Sequence, residues 1–258
     1  MTTSLPSVRV VLVCGGKGGV GKSTVAARLA TGLAARGCRT GLLDADLQGP
    51  SLPVLFDVRE RPAVRDGRIR PVVRGGVRLM STGLLADSSR ALAWKGPLVR
   101  GALRQLVRDV DWGDVETLVI DTPPGTGEIH LALADLLDVA AAVVVTTPQP
   151  MAVEDTYRCV AMLRRLGIAV PAVVENMAYY SCPCCGARTE PFAASGLAAT
   201  LPAETGDAAT RLIELPFAPA LAAGPGPGAR RATGADATAE TAFAALLDTL
   251  APVRSPRS

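Results

Sequence analysis

The chain has 258 residues, of which 48% are hydrophobic and only 3% aromatic, and its formal net charge is +3. This length suits one α/β domain with a large core, and the weak charge without a long basic stripe gives no reason to expect nucleic-acid binding. No run of about 18 apolar residues exists, which excludes a membrane-spanning helix. The N-terminus lacks the features of a signal peptide, so we expect a cytoplasmic protein.

Apolar runs of strand length alternate with stretches of helical periodicity along the chain. In chain order, strands are predicted at 8–14, 40–43, 76–81, 117–120, 143–147 and 171–174, and helices at 22–36, 96–109, 128–137, 153–166 and 239–250. Two segments rich in Gly and Pro, 57–75 and 224–234, are predicted to be irregular. Repeated βα units predict one α/β domain over residues 1–258, with a doubly wound, mostly parallel sheet flanked by helices.

A glycine-rich segment after the first predicted strand matches the phosphate-binding pattern G-x-x-x-x-G-K-[ST]. Its glycines let backbone N–H groups face phosphates, and the following helix adds the positive end of its dipole. Lys22 is expected to reach the β- and γ-phosphates, and Ser23 to place its hydroxyl on Mg²⁺. A glycine turn with a chance lysine is the alternative. The predicted nucleotide-binding residues are Gly16, Lys17, Gly18, Gly19, Val20, Gly21, Lys22, Ser23 and Thr24.

Acidic residues end two of the predicted strands. Asp44 and Asp46 follow the second strand as Asp-Ala-Asp, and such a pair can position water and hold Mg²⁺ through waters, although turn aspartates are common. Asp121 ends an apolar strand that is followed by Pro-Pro-Gly-Thr-Gly, and an apolar strand ending in Asp is a Walker B pattern. The pattern predicts that the carboxylate of Asp121 holds Mg²⁺ through water. The loop 123–127 is a candidate γ-phosphate sensor. The only histidine, His130, is assigned no role.

Three of the six cysteines lie close together, at Cys182, Cys184 and Cys185. Cys182 and Cys185 form a C-x-x-C pair, and thiolates suit iron–sulfur clusters or zinc. A closed zinc site needs four ligands, whereas this pair supplies two, which a symmetric dimer would double. A redox pair and a chance surface cluster are the alternatives, although a redox C-x-x-C normally opens a helix. We predict a metal-binding segment near residues 179–190.

The loop also resembles a known variant of the P-loop. Lys17 makes it K-G-G-x-G-K-[ST], which resembles the deviant Walker A of the superfamily that holds MinD, ParA and nitrogenase iron protein. This resemblance implies that Lys17 contacts nucleotide phosphate across a dimer interface and stabilises the transition state as an arginine finger does. It also implies that Asp46 orients the attacking water and that Asn176 hydrogen-bonds the adenine. A solvated lysine and a turn asparagine are the alternatives.

Further segments indicate which family within this superfamily the chain resembles. They are Asp-Ala-Asp at 44–46 with Gly-Pro-Ser at 49–51, Trp-Lys-Gly-Pro at 94–97, residues 109–113, 121–127 and 146–149, and Glu-Asn-Met at 175–177 before the Cys182/Cys185 pair. In this order the chain resembles the Mrp/ApbC family of iron–sulfur cluster carrier ATPases. The resemblance implies ATP hydrolysis, a [4Fe–4S] cluster shared by a homodimer, and transfer to client apoproteins. Three features depart from the family: the third thiol Cys184, the short leader where members often carry a small domain, and the weaker match after Cys185.

A spatial-organisation ATPase like MinD or ParA is the alternative function. It would need a basic amphipathic C-terminal helix for a membrane or a basic patch for DNA. The C-terminal helix carries Glu240 and Asp248, and the arginine-rich stretch 59–74 is interrupted by Glu60 and Asp66. An electron donor like nitrogenase iron protein would need widely spaced single cysteines. We therefore expect neither a membrane nor a nucleic acid as partner.

Overall fold

The structure is a computed structural model that describes residues 8–85, 97–182, 184–218, 221, 224 and 234–250. The Trp-Lys-Gly part of the 94–97 segment and most of the predicted loop at 224–234 lie outside the described residues.

Strands and helices alternate as predicted. The strands are β1 (Arg9–Cys14), β2 (Thr40–Asp44), β3 (Val64–Arg65), β4 (Arg68–Ile69), β5 (Val72–Arg74), β6 (Val77–Ser81), β7 (Thr117–Asp121), β8 (Val139–Thr146), β9 (Ala172–Ser181), β10 (Arg188–Thr189) and β11 (Arg211–Pro216). The helices are α1 (Lys22–Ala35), α2 (Leu52–Leu55), α3 (Pro97–Arg108), α4 (Glu128–Leu136), α5 (Pro150–Arg165), α6 (Leu197–Thr205) and α7 (Gly234–Leu250). A 3₁₀ turn covers Thr82–Leu84.

In the described chain, nine strands form one sheet in the order β10-β9-β8-β1-β7-β2-β6-β5, with β11 beside β9. The central neighbours pair in parallel, whereas β5 and β10 are antiparallel to theirs. One core cluster joins α1, α2 and α7 to a face of the sheet, and a second joins α3, α4, α5 and α6 to the other face. The central strands β1, β2, β7 and β8 are buried on both faces, which explains their continuous apolar runs. The predicted fold class is confirmed.

The register of the central strands brings the candidate residues together. Val13 near the end of β1 pairs with Asp121 at the end of β7, and Asp121 in turn pairs with Asp44 at the end of β2. The chain leaves β1 toward one side of the sheet for β2 and later returns to the other side for β8. Ligands of doubly wound folds bind outside the carboxyl ends of strands at such a reversal.

The structure differs from the sequence-based prediction mainly in β9. The predicted strand ends at residue 174, where the apolar run stops, but β9 continues to Ser181 and forms a hairpin with β10. Within the segment predicted as irregular, 57–75, the structure has three short strands, of which β5 pairs with β6 at the sheet edge. None of the helices in the described residues has the length and apolar character needed to cross a membrane.

Candidate functional site

The phosphate-binding loop connects β1 to α1 and is held closely by its neighbours. Gly21, at the N-terminus of α1, has a φ of 95°, in the left-handed region that favours glycine. A Cβ added at Gly16 would lie 2.2 Å from the carbonyl oxygen of Asp155 in α5, and one at Gly21 would lie 2.3 Å from Nδ2 of Asn176. Two glycines of the motif are therefore required by packing as well as by the space that a phosphate needs.

Lys22, in the first turn of α1, is 8% exposed. Its ammonium donates a hydrogen bond of 3.2 Å to the carbonyl oxygen of Lys17. Burial lowers the pKa of Lys22, and the negative charges of Asp121 and Asp46 counteract that effect in part. A partly desolvated cation at a helix N-terminus is well prepared to bind a phosphate group.

Asp121 and Asp44 lie side by side at the carboxyl ends of β7 and β2. Burial raises the pKa of Asp121 to about 8, with Asp44 adding to the rise, while Ser23 and Lys22 counteract it in part. Neither carboxylate oxygen of Asp121 makes a hydrogen bond of normal geometry within the described residues. A buried carboxylate with two free oxygens beside the Ser23 hydroxyl fits the water shell of a Mg²⁺ ion.

Asp44 is bonded, in contrast to Asp121. Its carboxylate accepts hydrogen bonds from the Ser81 hydroxyl at 3.1 Å and from the backbone N–H groups of Leu52 and Asp46 at 3.2 Å each. Burial nevertheless raises the pKa of Asp44 to about 7. Because its oxygens already hold β6 and the loop after β2, Asp44 stabilises the site beside Asp121.

Asp46 and Lys17 lie on the solvent side of this site and are both half-buried. Oδ1 of Asp46 accepts hydrogen bonds from the backbone N–H groups of Gln48 and Gly49, at 3.2 Å and 3.0 Å. These bonds fix the loop that follows β2 in a turn around the carboxylate. The charge of Asp46 acts on Lys22, so the two lie in one electrostatic environment.

Asn176 on β9 contacts the phosphate-binding loop directly. Its Nδ2 donates a hydrogen bond of 2.9 Å to the carbonyl oxygen of Val20, and the side chain is buried. The bond occupies one of the two N–H groups of the amide and leaves Oδ1 for another partner. The next residue, Met177, has a φ of 58°, which is unusual for a residue other than glycine.

The C-x-x-C pair lies at the tip of the hairpin formed by β9 and β10, which we call the cysteine hairpin (residues 180–189). The Cys182 carbonyl accepts a hydrogen bond from the Gly186 N–H, and the Cys182 N–H donates to the Ala187 carbonyl, both at 2.9 Å. The N–H groups of Cys185 and Cys184 point at the Cys182 sulfur and lower the pKa of its thiol. Cys182 is half-buried, and Cys184 and Cys185 are exposed.

This tight turn of N–H groups around a sulfur stabilises a thiolate, which is the form that binds metals. Within the described residues, no group of three or more His, Cys, Asp or Glu side chains is arranged to hold a metal ion. The hairpin therefore offers the thiols of Cys182 and Cys185 without a complete set of ligands from the described part of the same chain.

His130 makes a buried contact with Thr122 that was not predicted from the sequence. It is buried at the start of α4, and its Nε2 lies 3.0 Å from the hydroxyl of Thr122, which donates to the carbonyl of Val13. Burial lowers the pKa of His130 to about 4, so the ring is neutral at physiological pH. It supports the residue after Asp121. A lone histidine in a helical stretch carries no sequence signal for this contact.

Comparisons with known proteins agree with this geometry. The family model described as ParA, NUBPL iron-transfer P-loop NTPase, matches residues 7–251. An iron–sulfur cluster carrier protein from Pseudomonas fragi is 48% identical over 190 residues, which are 72% of this chain and 66% of that protein. The chain spans about half to two thirds of the length of the curated relatives it matches.

Solved structures show the same fold. A nucleotide-binding protein from Archaeoglobus fulgidus in complex with ADP has a TM-score of 0.68 and 36% identity, covering 83% of this chain and 84% of that one. The cell division ATPase MinD from Pyrococcus furiosus has a TM-score of 0.63 over 94% of this chain and 99% of that one, at 21% identity. The second likeness concerns the fold alone.

Proposed function

We propose that this chain, which belongs to the family of NUBPL-type iron-transfer P-loop NTPases, binds and hydrolyses ATP and carries an iron–sulfur cluster to client apoproteins. The proposal depends on one observation: the same chain has a complete phosphate-binding loop and, in the turn after β9, a C-x-x-C pair of the half-buried Cys182 and the exposed Cys185. We take the chain as one P-loop domain, with the cysteine hairpin as an extension of β9.

In the nucleotide site, Lys22 binds the β- and γ-phosphates, and the N–H groups of the loop surround them. The Ser23 hydroxyl would hold Mg²⁺ directly and the free oxygens of Asp121 would hold it through water, and the ion would supply charge neutralisation at the phosphates. Asp46 orients the attacking water. Lys17 completes the site of a second copy of the chain, where its charge stabilises the transition state.

In the metal site, Cys182 and Cys185 bind the cluster as its cargo ligands. Two copies related by a two-fold axis place four thiolates around one position, which is the number that a [4Fe–4S] cluster takes. The N–H groups that lower the pKa of Cys182 favour the thiolate before the cluster arrives. Exposure of Cys185 leaves the cluster accessible to the thiols of a client protein.

Anaerobic reconstitution with iron and sulfide tests the cluster half of the proposal. The wild-type chain is expected to take up one cluster per dimer, seen as visible absorbance and as iron per dimer. Cys182→Ala and Cys185→Ala are each expected to abolish uptake, because each removes two of the four ligands in a symmetric site.

Cys184→Ala is the matched control, since the residues inside a C-x-x-C turn usually point away from the metal. Its uptake is expected to equal that of the wild type. Full uptake by all three variants would refute the carrier function. One tightly bound zinc per chain without any cluster would instead identify a structural metal site in an ATPase.

A further inference from the structure

We propose that Asn176 is a positioning residue that couples the phosphate-binding loop to the cysteine hairpin through β9. Its side chain holds the loop at one end of a segment whose other end carries Cys182. Nucleotide binding then changes the reactivity of the two thiols within the same chain. This inference rests on the proposed function, because it assigns the communication between the two halves of that function.

The contact with the loop falls on a peptide that binds phosphate. The Val20 carbonyl, which accepts from Nδ2 of Asn176 at 2.9 Å, belongs to the same planar peptide unit as the N–H of Gly21. In a trans peptide the two groups point in opposite directions. The side chain of Asn176 therefore binds the carbonyl group of a peptide whose N–H group faces the expected position of the phosphate.

The phosphate-binding loop packs so closely against Asn176 that it has little room to move unless this side chain moves too. A Cβ added at Gly21 would lie 2.3 Å from Nδ2, so the backbone of the loop rests directly on the amide. Asn176 is 8% exposed, which leaves it few alternative positions. A displacement of the Gly21 peptide is consequently transmitted to β9.

The segment from Tyr179 to Cys182 is tied to its neighbours. The Tyr179 carbonyl accepts a hydrogen bond of 2.7 Å from Phe217, and the Cys182 N–H donates to Ala187. The Arg188 guanidinium lies 4.0 Å over the Tyr179 ring and forms an ion pair with Glu214 at 2.7 Å. Six residues span about 20 Å from Asn176 to Cys182, and these bonds make the second half of that span, from Tyr179 onward, move as a unit.

One irregularity in β9 supplies a place for rotation. The pairing of β9 with β11 shifts register between Glu214 and Pro216, and Met177 in this stretch has a φ of 58°. Bulges re-aim side chains beside active sites and bend the strand that carries them. Here the bulge lies between Glu175 and Tyr179, so it includes the loop contact and precedes the cysteine hairpin.

The test measures thiol reactivity in the reduced, metal-free chain of residues 1–258. Alkylation rates of Cys182 and Cys185 by iodoacetamide are resolved by peptide mass spectrometry, without nucleotide and at saturating Mg–ADP or a non-hydrolysable ATP analogue. In the wild type, nucleotide is expected to change these rates by roughly threefold to tenfold, the range set by one hydrogen bond. In Asn176→Leu, which removes the donor at similar volume, the ratio is expected to fall to about one.

Controls separate this route from other causes. Asn176→Ala serves as a second variant if the leucine variant does not fold. Tyr180→Ala changes β9 beside the cysteines without touching the loop, and it is expected to keep the nucleotide effect. Protection by dimerisation would depend on protein concentration, whereas coupling within one chain would not, so the rates are compared at two concentrations.

The inference is overturned if nucleotide leaves the wild-type rates unchanged, or if Asn176→Leu keeps the wild-type ratio when saturated. Reconstitution distinguishes this failure from failure of the proposed function. Asn176→Leu is expected to bind a cluster, since it retains both cysteines. A wild-type chain that binds no cluster would refute the carrier function while the thiol rates still report on coupling.

Discussion

Asp121 and Asp44 hold two carboxyl groups in a space where water cannot solvate their charges. Their pKa values of about 8 and about 7 follow mainly from burial; the charge of Asp44 adds to the rise at Asp121, and the charge of Asp46 adds to the rise at both. Such a pair is unfavourable as two anions unless cations approach, and Lys22 supplies one of these. The pair would therefore be stabilised by the proposed Mg²⁺ and is destabilising without it.

The raised pKa values predict how stability depends on pH without nucleotide and Mg²⁺. Both folded pKa values exceed the unfolded value of 3.8, so the folded state binds more protons. The resulting stabilisation is greatest below about pH 4 and is lost as pH rises to about 7 to 8. Each group contributes up to ~1.4 kcal/mol per pH unit within that range.

Urea unfolding of wild type and Asp121→Asn at several pH values checks this prediction. The free energy of unfolding of the wild type is expected to fall more steeply toward pH 8 than that of the variant, which lacks the titrating group. Equal slopes for the two proteins would mean that Asp121 is ionised throughout.

Substitutions of the two lysines of the loop are expected to change different quantities, the affinity for ATP in one case and kcat in the other. Lys22→Ala removes the buried ammonium that meets the phosphates, and we expect ATP affinity to fall by about 2–4 kcal/mol, or roughly 30- to 1000-fold. Lys17→Ala is the matched control, because its assigned role is confined to the transition state. Its ATP affinity should stay within about threefold of wild type while kcat falls by at least ~10³-fold.

Equilibrium binding of a fluorescent ATP analogue and steady-state hydrolysis separate the two outcomes. Asp46→Ala is expected to behave as Lys17→Ala does. If Lys17→Ala lowers only the affinity, the resemblance to the deviant Walker A has assigned it the wrong role.

At the scale of elements, the sequence predicts what adjacent residues determine. The phosphate-binding loop is contiguous, and Asp44 and Asp121 each end an apolar run, so their meeting follows from the rule that parallel strands share a carboxyl edge. The contact between Asn176 and Val20 joins residues 156 positions apart, and no local sequence pattern predicts it. The length of β9 is equally hidden, because Glu-Asn-Met interrupts its apolar run and pairing with β10 and β11 then extends it.

The bulge in β9 gives a prediction about backbone strain. Met177 adopts a φ of 58°, where a β-branched side chain clashes most with its own backbone. We expect Met177→Val to destabilise the fold by about 1–2 kcal/mol. Met177→Gly, which fits this conformation, is expected to change stability by less than ~1 kcal/mol.

Chemical denaturation of the two variants provides the measurement. The comparison isolates the backbone, since both substitutions shorten the same half-buried side chain. A valine variant as stable as the glycine variant would show that the left-handed conformation is absent in solution.

At the scale of the whole molecule, both proposed sites are incomplete in one chain. Lys17 is assigned to the nucleotide of a second copy, and the cysteine hairpin offers two outward thiols where a cluster takes four ligands. In the proposed homodimer, a two-fold axis would complete both. Nucleotide and cluster then favour the same dimer, so each is expected to strengthen the binding of the other.

This linkage predicts which ligands drive association and which variants block them. Light scattering is expected to show more dimer with Mg and a non-hydrolysable ATP analogue, and also with a reconstituted cluster, because a ligand that binds only the dimer favours it by mass action. Lys22→Ala should lose the nucleotide effect and keep the cluster effect, whereas Cys185→Ala should do the reverse.

A chain that remains monomeric with both ligands would refute the shared sites. Loss of both effects in either variant would indicate that the substitution damages the fold, which the thermal unfolding of the same samples detects.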